Sequence, residues 1–449
     1  FVEQYTRGFD EFKDYLDTQT LEQLSRWCGI SVTDIEKLTD IFCSTAKIPL
    51  VAYTGLEYQL SAIQNNRAIF VLWAITGKLD APGAIYLNAK GLETPKLFEI
   101  PEDDKPIGVD EFPLFYKFSG LGQFSRFPKA VLEDEPYPVR GLMILGGSPV
   151  LSFPDSKSWR EAYKKLDCLI VLDRYFTEDA RYADVVFPVC SLFEVPKAVP
   201  GPEGPHIVEP LIEPVGESKN DVLIMGAIAK KLGFGDKLPQ TEEELRSWLL
   251  SGTAPYAGDF GTSADQKKEK HYKKYETGEL RADGKPGFPT PSGKLEICST
   301  ILEENGFVPY PEYKDVRSIP ELAGKEYPFT MTSGARSNNR MGVFGANLDK
   351  IAEIEPYPFV DINAEDAKEI GIEDGDMVKV ITPFADGTFK AKIRGIARHA
   401  IHIPHGGGSA YMAEPWKNGN VNDLCSLDYA DPMTGFVLIK SVPCRVEKV

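Results

Sequence analysis

The sequence predicts an α/β protein: a doubly wound parallel-sheet domain followed by a C-terminal closed β-barrel-like domain. Two observations carry this expectation. Between Arg140 and Val189, apolar runs at 142–145, 168–172 and 185–187 alternate with a helical pattern (Trp159, Ala162, Tyr163, Leu166) and a second helix start at Thr177-Glu178-Asp179. Strand, helix, strand, helix, strand at this spacing is the pattern of parallel strands joined by crossovers. From Tyr327 the texture changes to short alternating strands separated by turn residues, at 329–332, 377–382, 389–393 and 400–403. A single helix, 364–369, follows Pro358-Phe359-Val360-Asp361-Ile362. Such a series closes into a compact barrel of about 120 residues.

The elements ahead of the parallel unit read as follows. Residues 9–44 are mostly helical: Leu21, Leu24, Trp27 and Cys28 form one apolar stripe. Ser31-Val32-Thr33-Asp34 starts a second helix that packs through Ile35, Leu38, Ile41 and Phe42. Residues 48–53 read as a strand stopped by Thr54-Gly55, and 59–76 as a long helix broken by Gly77. The segment 95–138 is poorly periodic and rich in Pro, Phe and Gly, an expected surface excursion or funnel wall. After Cys190, 194–205 is a Pro- and Gly-rich loop, 206–214 is extended, and 219–232 and 243–250 are helical. Residues 254–283, with KKEKHYKK at 267–274, read as a solvated charged insertion before a strand-like stretch at 295–298.

Bulk properties narrow the class. A chain of 449 residues has room for two or three domains. Its net charge of -17 argues against a nucleic-acid partner. Its apolar runs are too short for direct membrane insertion. It begins at Phe1 without a start or targeting pattern, so further polypeptide upstream is expected, and cytoplasm and periplasm both stay open as compartments. None of its seven cysteines sits in a CxxC pair, so free thiols are expected and no cluster held by this chain.

In a doubly wound sheet, ligands lie beyond the carboxyl ends of the strands. Those ends carry Gly146-Gly147-Ser148-Pro149 and, after the next strand, Asp173 to Thr177. The glycines permit close backbone approach, and Asp173 and Thr177 can bond a base edge or a ribose. Turn and cap roles account for the same residues equally simply, and neither GxGxxG nor a P-loop is present.

Thr332-Ser333-Gly334-Ala335-Arg336-Ser337-Asn338-Asn339-Arg340 follows an apolar strand and gathers hydroxyls, amides and two guanidiniums, donors suited to phosphate or to a solvated loop. His405 precedes Gly406-Gly407-Gly408, where it is either a ligand contact or a loop histidine beside a flexible turn. Strand parity turns His402 away from His399 and His405, which argues against a metal site. Asp423, Asp428, Asp431 and Glu414 show no acid–base spacing, and no catalytic residue is assignable.

Seven segments in order, AITGKLDAPGA (74–84), LGGSPV (145–150), LDRYFTEDARYADVVFP (172–188), TPSGKLEICS (290–299), TSGARSNNR (332–340), INAEDAKEIGIEDGDMVKV (362–380) and NDLCSLDYADPMTGFVLIKSVPCRV (422–446), resemble one family. It is the C-terminal portion of the catalytic subunit of molybdenum or tungsten oxidoreductases that bind two pyranopterin guanine dinucleotides, the dimethyl-sulphoxide-reductase superfamily.

The resemblance implies a division into three parts. Residues 1–240 are a dinucleotide-cofactor-binding α/β domain with a surface excursion near 92–139. Residues 241–324 are the return segment of a neighbouring α/β domain with the charged insertion, and 325–449 the barrel that caps the cofactors. It places Gly146, Gly147 and Pro149 at a nucleotide-contact turn, with Ser148 where relatives commonly carry Asn, and Asp173 and Thr177 at a guanosine. Thr332, Gly334 and Arg336 fall in a first pterin-dinucleotide loop, where Asn338 and Asn339 stand in place of a common histidine. His405 and Gly406 fall in a second loop, and Asn422 near the pterin.

Dithiolenes bind the metal in this family, so no protein metal ligand is expected here. The 4Fe-4S cysteine motif and the metal-proximal residue belong to an N-terminal part, in the same polypeptide or a separate subunit, and an iron–sulphur electron-transfer subunit is a further expected partner. The implied activity is anaerobic oxidoreduction of a small inorganic sulphur compound or small organic substrate. Segment 194–214 is similar to thiosulphate or polysulphide reductases and acetylene hydratase, and 1–15 and IPHG (403–406) resemble the acetylene-hydratase branch. A tungsten-dependent non-redox hydratase is the alternative. A formate dehydrogenase, whose fuller loop carries Arg and Asn, and a non-catalytic scaffold fit less well.

Overall fold

A computed structural model of the protein describes residues 1–88, 105–199, 201, 204–251, 270–334, 348–412 and 414–449. Near the start, β1 (Thr6–Arg7) is followed by helices Phe9–Asp17, Leu21–Cys28 and Val32–Ser44. Thr20 and Ser31 cap the last two, their hydroxyls accepting the amides of Gln23 and Asp34 at 3.2 and 3.1 Å. The expected apolar stripes form but stay partly uncovered: Trp27, Leu38 and Ile41 are 40%, 59% and 60% exposed. Periodicity sets which face is apolar, and the described residues cover it only in part, with Tyr313 against Trp27 and Trp73 against Phe42.

The strand expected at 48–53 does not form. That stretch is extended and outside any ladder, with Val51 95% exposed, because a strand needs a neighbour for its N–H and C=O groups. The long helix does form, as Ala62–Ile75, and Gly77 at φ +74° ends it.

Two further segments are more buried than expected, for one reason. Of 95–138, expected as a surface excursion or funnel wall, 95–104 lies outside the described residues. In the rest, Phe112, Leu114, Phe127, Ala130 and Val131 are buried, and the Phe127 ring stacks on Trp159 at 5.3 Å. Of the charged insertion, 252–269 also lies outside the described residues, and in its far end Lys270, His271 and Lys273 are exposed while Lys274 and Tyr275 are buried. Lys274 is 2% exposed, its ammonium 2.5 Å from Oδ1 of the fully buried Asp80 and 2.7 Å from the His271 carbonyl. In both cases distant segments bury residues whose local pattern has no period.

The parallel unit forms as expected from β2 (Gly141–Leu145), β3 (Cys168–Asp173) and β4 (Val185–Pro188), in the order β2-β3-β4. Helix Ser156–Lys165 makes the first crossover and buries Trp159, Ala162 and Tyr163 against Ile144, Leu169 and Val171. The second crossover is a 3-10 turn, Asp179–Arg181, instead of the expected helix. The loop at 194–214 contains a short hairpin, β5 (Lys197–Val199) with β6 (His206–Val208). Further on, β7 (Leu295–Glu296) pairs in parallel with β1, so the first part of the chain shares cores with residues near 300 (Phe12, Val71 and Ile297).

The barrel comprises β8 (Phe329–Ser333), β9 (Phe359–Asn363), β10 (Met377–Ile381), β11 (Asp386–Arg394), β12 (Ala400–Ile403) and β13 (Lys440–Lys448). It closes in the order β10-β11-β9-β12-β8-β13, with β13 also paired to β10. Alternation delivers Met331, Val360, Ile362, Val378, Val380, Phe389, Ile401 and Val442 to a shared interior, all fully buried. Helix Ala364–Glu369 is where the sequence predicts it, capped by Asn363. No helix among the described residues is long and apolar enough to cross a membrane.

Candidate cofactor-binding site

The site begins where β2 ends. Gly146 turns the chain at φ +57°, its N–H donating to the Leu172 carbonyl at 2.9 Å, and nothing lies within 4 Å of where a Cβ would stand. Ser148 and Pro149 then start the short helix Pro149–Ser152. Asp179 fixes this turn from below. Fully buried, its carboxylate accepts from the Ser148 hydroxyl, from the Val150 N–H at 3.1 Å and from the Tyr163 hydroxyl at 2.8 Å. Burial pushes the Asp179 carboxyl above the usual carboxylate range, and the donors oppose that shift.

The expected guanosine residues lie in the same β3–β4 connection. Asp173 accepts the Tyr175 N–H at 3.0 Å, and the buried Thr177 hydroxyl accepts the Ala180 N–H at 3.3 Å. Glu178, 3% exposed, spans to the barrel side: one oxygen is 2.6 Å from Arg181 and the other accepts the Ala410 N–H at 3.0 Å. Between this tie and residues 408–420 lies a polar cavity of about 730 Å³, walled also by Arg160 and Asp423, which are paired at 3.0 Å.

On the barrel side, Gly406, Gly407 and Gly408 all have positive φ, and the last two are obliged to be glycine. A Cβ on Gly407 would stand 3.0 Å from the Gly419 carbonyl oxygen, and one on Gly408 2.7 Å from Asn420 Cβ. Asn422, 2% exposed, donates through Nδ2 to the Leu151 carbonyl at 2.7 Å and lies 3.4 Å from His405 Nδ1. Asn420 reaches the Ser156 hydroxyl at 2.9 Å. The structure therefore brings His405 and Asn422 to Leu151, in the short helix that the 146–149 turn starts.

Thr332 and Gly334 stand at the far end of β8, Gly334 at φ +101°. The Lys440 ammonium donates to the Ser333 carbonyl there, and burial lowers its pKa. Arg336 and Asn339 lie outside the described residues. The histidines at 399, 402 and 405 do not converge, since His402 Nδ1 faces Asp361 at 3.1 Å. Sequence reasoning missed Asp179, Glu178, Asn420 and Lys440. Glu178 and Asp179 were visible only as part of a helix start, and nothing in the pattern marks Asn420 or Lys440.

Two family patterns match the chain. One, described as molybdopterin oxidoreductase, covers residues 59–231, and the other, the molydopterin dinucleotide binding domain, covers 330–443. The chain belongs to the molybdopterin oxidoreductase family. The dinucleotide-binding match spans most of the barrel, so the cofactor of this molybdopterin oxidoreductase chain is a molybdopterin dinucleotide.

Among similar proteins, the F420-dependent formate dehydrogenase subunit alpha of Methanocaldococcus jannaschii is 26% identical over 428 residues. Acetylene hydratase of Syntrophotalea acetylenica is 25% identical over 446 residues. Each match covers 90% of this chain and 60% of the relative, so the chain spans well under two thirds of their length. A solved acetylene hydratase from Pelobacter acetylenicus shares the fold, with TM-score 0.78 and 21% identity, covering 100% of this chain and 67% of that one.

The residues present fit a dinucleotide. The space outside Gly146 is open, and beside Thr332 the buried His402 Nε2 has no partner among the described residues.

Proposed function

We propose that the chain forms the dinucleotide-holding part of a molybdenum- or tungsten-dependent oxidoreductase acting on a small inorganic sulphur compound or a small organic substrate. The observation that carries this reading is that Asn422 links His405 to Leu151, in the short helix that follows the 146–149 turn. When bound, the cofactor supplies a metal that exchanges electrons, an atom or a hydride with substrate. The chain's own residues orient it. The 146–149 turn and Asp173 with Thr177 hold a guanosine end, Thr332, Gly334, Arg336 and Asn339 hold a pterin-dinucleotide stretch, and His405, Gly406 and Asn422 close over the pterin. The proposal includes two pyranopterin guanine dinucleotides, and further polypeptide that carries a 4Fe-4S cluster and the metal-proximal residue. It also divides the chain at about residues 240 and 325, boundaries that follow the family's architecture.

A second reading is a non-redox hydratase on the same scaffold, favoured by the likeness to acetylene hydratase over 90% of the chain. There the metal places or activates water. Turnover of the complete assembly with a viologen dye against thiosulphate, polysulphide, formate and acetylene separates the two. Dye-coupled turnover supports the oxidoreductase; acetylene hydration with silence in every dye assay replaces it with the hydratase. Acid extraction yielding no guanine nucleotide would overturn both.

A further inference from the structure

Lys440 opens β13 in an irregular register. It lies opposite Thr332, while Val442 lies opposite Met331, so the single step from Met331 to Thr332 is matched by two on β13. Ser441 is the extra residue, at φ +65°. A bulge of this kind flips the side-chain parity of the strand. Val442 is fully buried in the barrel interior, and without the bulge Lys440, two positions away, would share that inward face. With the bulge, Lys440 stands on the Thr332 face and its ammonium reaches the Ser333 carbonyl.

A carbonyl dipole does not neutralise an ammonium. No carboxylate pairs with Lys440 among the described residues, and burial alone accounts for its lowered pKa. Gly334 leaves the ammonium room, since a Cβ there would stand 3.0 Å from Nζ. On the other side of Thr332 the same cross-strand row continues with His402 and Asp361. A carboxylate only accepts, so His402 Nδ1 carries the proton shared with Asp361, which leaves Nε2 buried without a partner. Among the described residues, Thr332 is thus flanked by a cation lacking a counter-ion and by an imidazole nitrogen lacking a partner.

We propose that Lys440 is a residue of the dinucleotide site, delivered by the Ser441 bulge to pair with a phosphate oxygen of the cofactor beside Thr332 and Gly334. The inference rests on the reading of this chain as dinucleotide-holding. A phosphate supplies the full negative charge that the end of β8 lacks, and a charge-assisted bond in a half-buried setting is stronger than one to a carbonyl.

The test uses the complete assembly, prepared as wild type, K440Q and K440R. Each is dialysed at rising sodium chloride, and retained guanine nucleotide per chain is measured after acid hydrolysis. Gln keeps a donor for Ser333 and removes the charge; Arg keeps the charge. The expected result is roughly ten- to hundredfold faster nucleotide loss in K440Q, a flatter salt dependence than wild type, and recovery of most retention in K440R. Retention by K440Q equal to wild type at every salt concentration would overturn the proposal. So would faster loss with unchanged salt dependence and no rescue by Arg, which describes a brace for β8 alone. Wild type without guanine nucleotide would instead sink the underlying functional reading.

Discussion

Tyr163 donates its hydroxyl to Asp179 at 2.8 Å, and this buried bond joins the first crossover helix to the 3-10 turn of the second crossover. The same carboxylate holds Ser148 and Val150, so one residue sets the shape of the expected nucleotide-contact turn. Asp179→Ala leaves the hydroxyls of Ser148 and Tyr163 and the Val150 N–H without their acceptor in a dry site. The expected loss is about 3 kcal/mol of stability, read from urea unfolding, together with lower guanine nucleotide retention. A variant with unchanged unfolding midpoint would show the turn to be held by something else.

Asp80 and Lys274 form a fully buried pair between segments far apart in the chain. Removing one partner strands the other's charge, so D80N and K274M should each cost about 3–5 kcal/mol. The double variant D80L/K274M should cost less than the sum of the single changes, which a double-mutant cycle by urea unfolding measures. Additive losses would exclude the coupling.

Gly408→Ala places a methyl group 2.7 Å from Asn420 Cβ at φ +94°. Either the backbone or Asn420 must shift, loosening the Asn420–Ser156 bond between barrel and sheet domain. The expected penalty is roughly 1–3 kcal/mol, with faster hydrogen exchange at residues 408–422. Gly146→Ala, by contrast, meets open space and bears only the cost of its positive φ.

Cys425 lies fully buried beneath the barrel, and burial pushes its thiol up to about 12. The folded pKa is raised, so the thiol's contribution to stability is fully present below the unfolded value, near 9, and is lost as pH rises toward about 12. Within that window wild type should lose up to about 1.4 kcal/mol per pH unit more than Cys425→Ala. In the native protein a thiol reagent should label the exposed Cys28, Cys43 and Cys168 long before Cys425 or Cys444.

What could be read from the sequence was whatever repeats locally. The runs at β2, β3 and β4 and the alternation at β8, β10, β11 and β12 announced the sheet and barrel, because each is written in a few adjacent residues. The glycines at 146, 334 and 406–408 announced turns for the same reason. Long-range partners had no such signature. Nothing near Lys274 indicates Asp80, and nothing in 105–138 indicates that Gln123 and Ser125 bond Thr434 and Gly435. Nor does the strand-like look of 48–53 supply a neighbour to pair with. Asp179 was hidden differently: as a helix starter it looks ordinary, and only the fold reveals how many donors it gathers.

The barrel's order of closure has a consequence for assembly. β13 inserts between β8 and β10, yet it follows every other barrel strand in the chain. During synthesis those two edges stay unpaired until the ribosome has released β13, and Lys440 arrives with it. The barrel is therefore the part of the chain whose closure comes last in the order of synthesis.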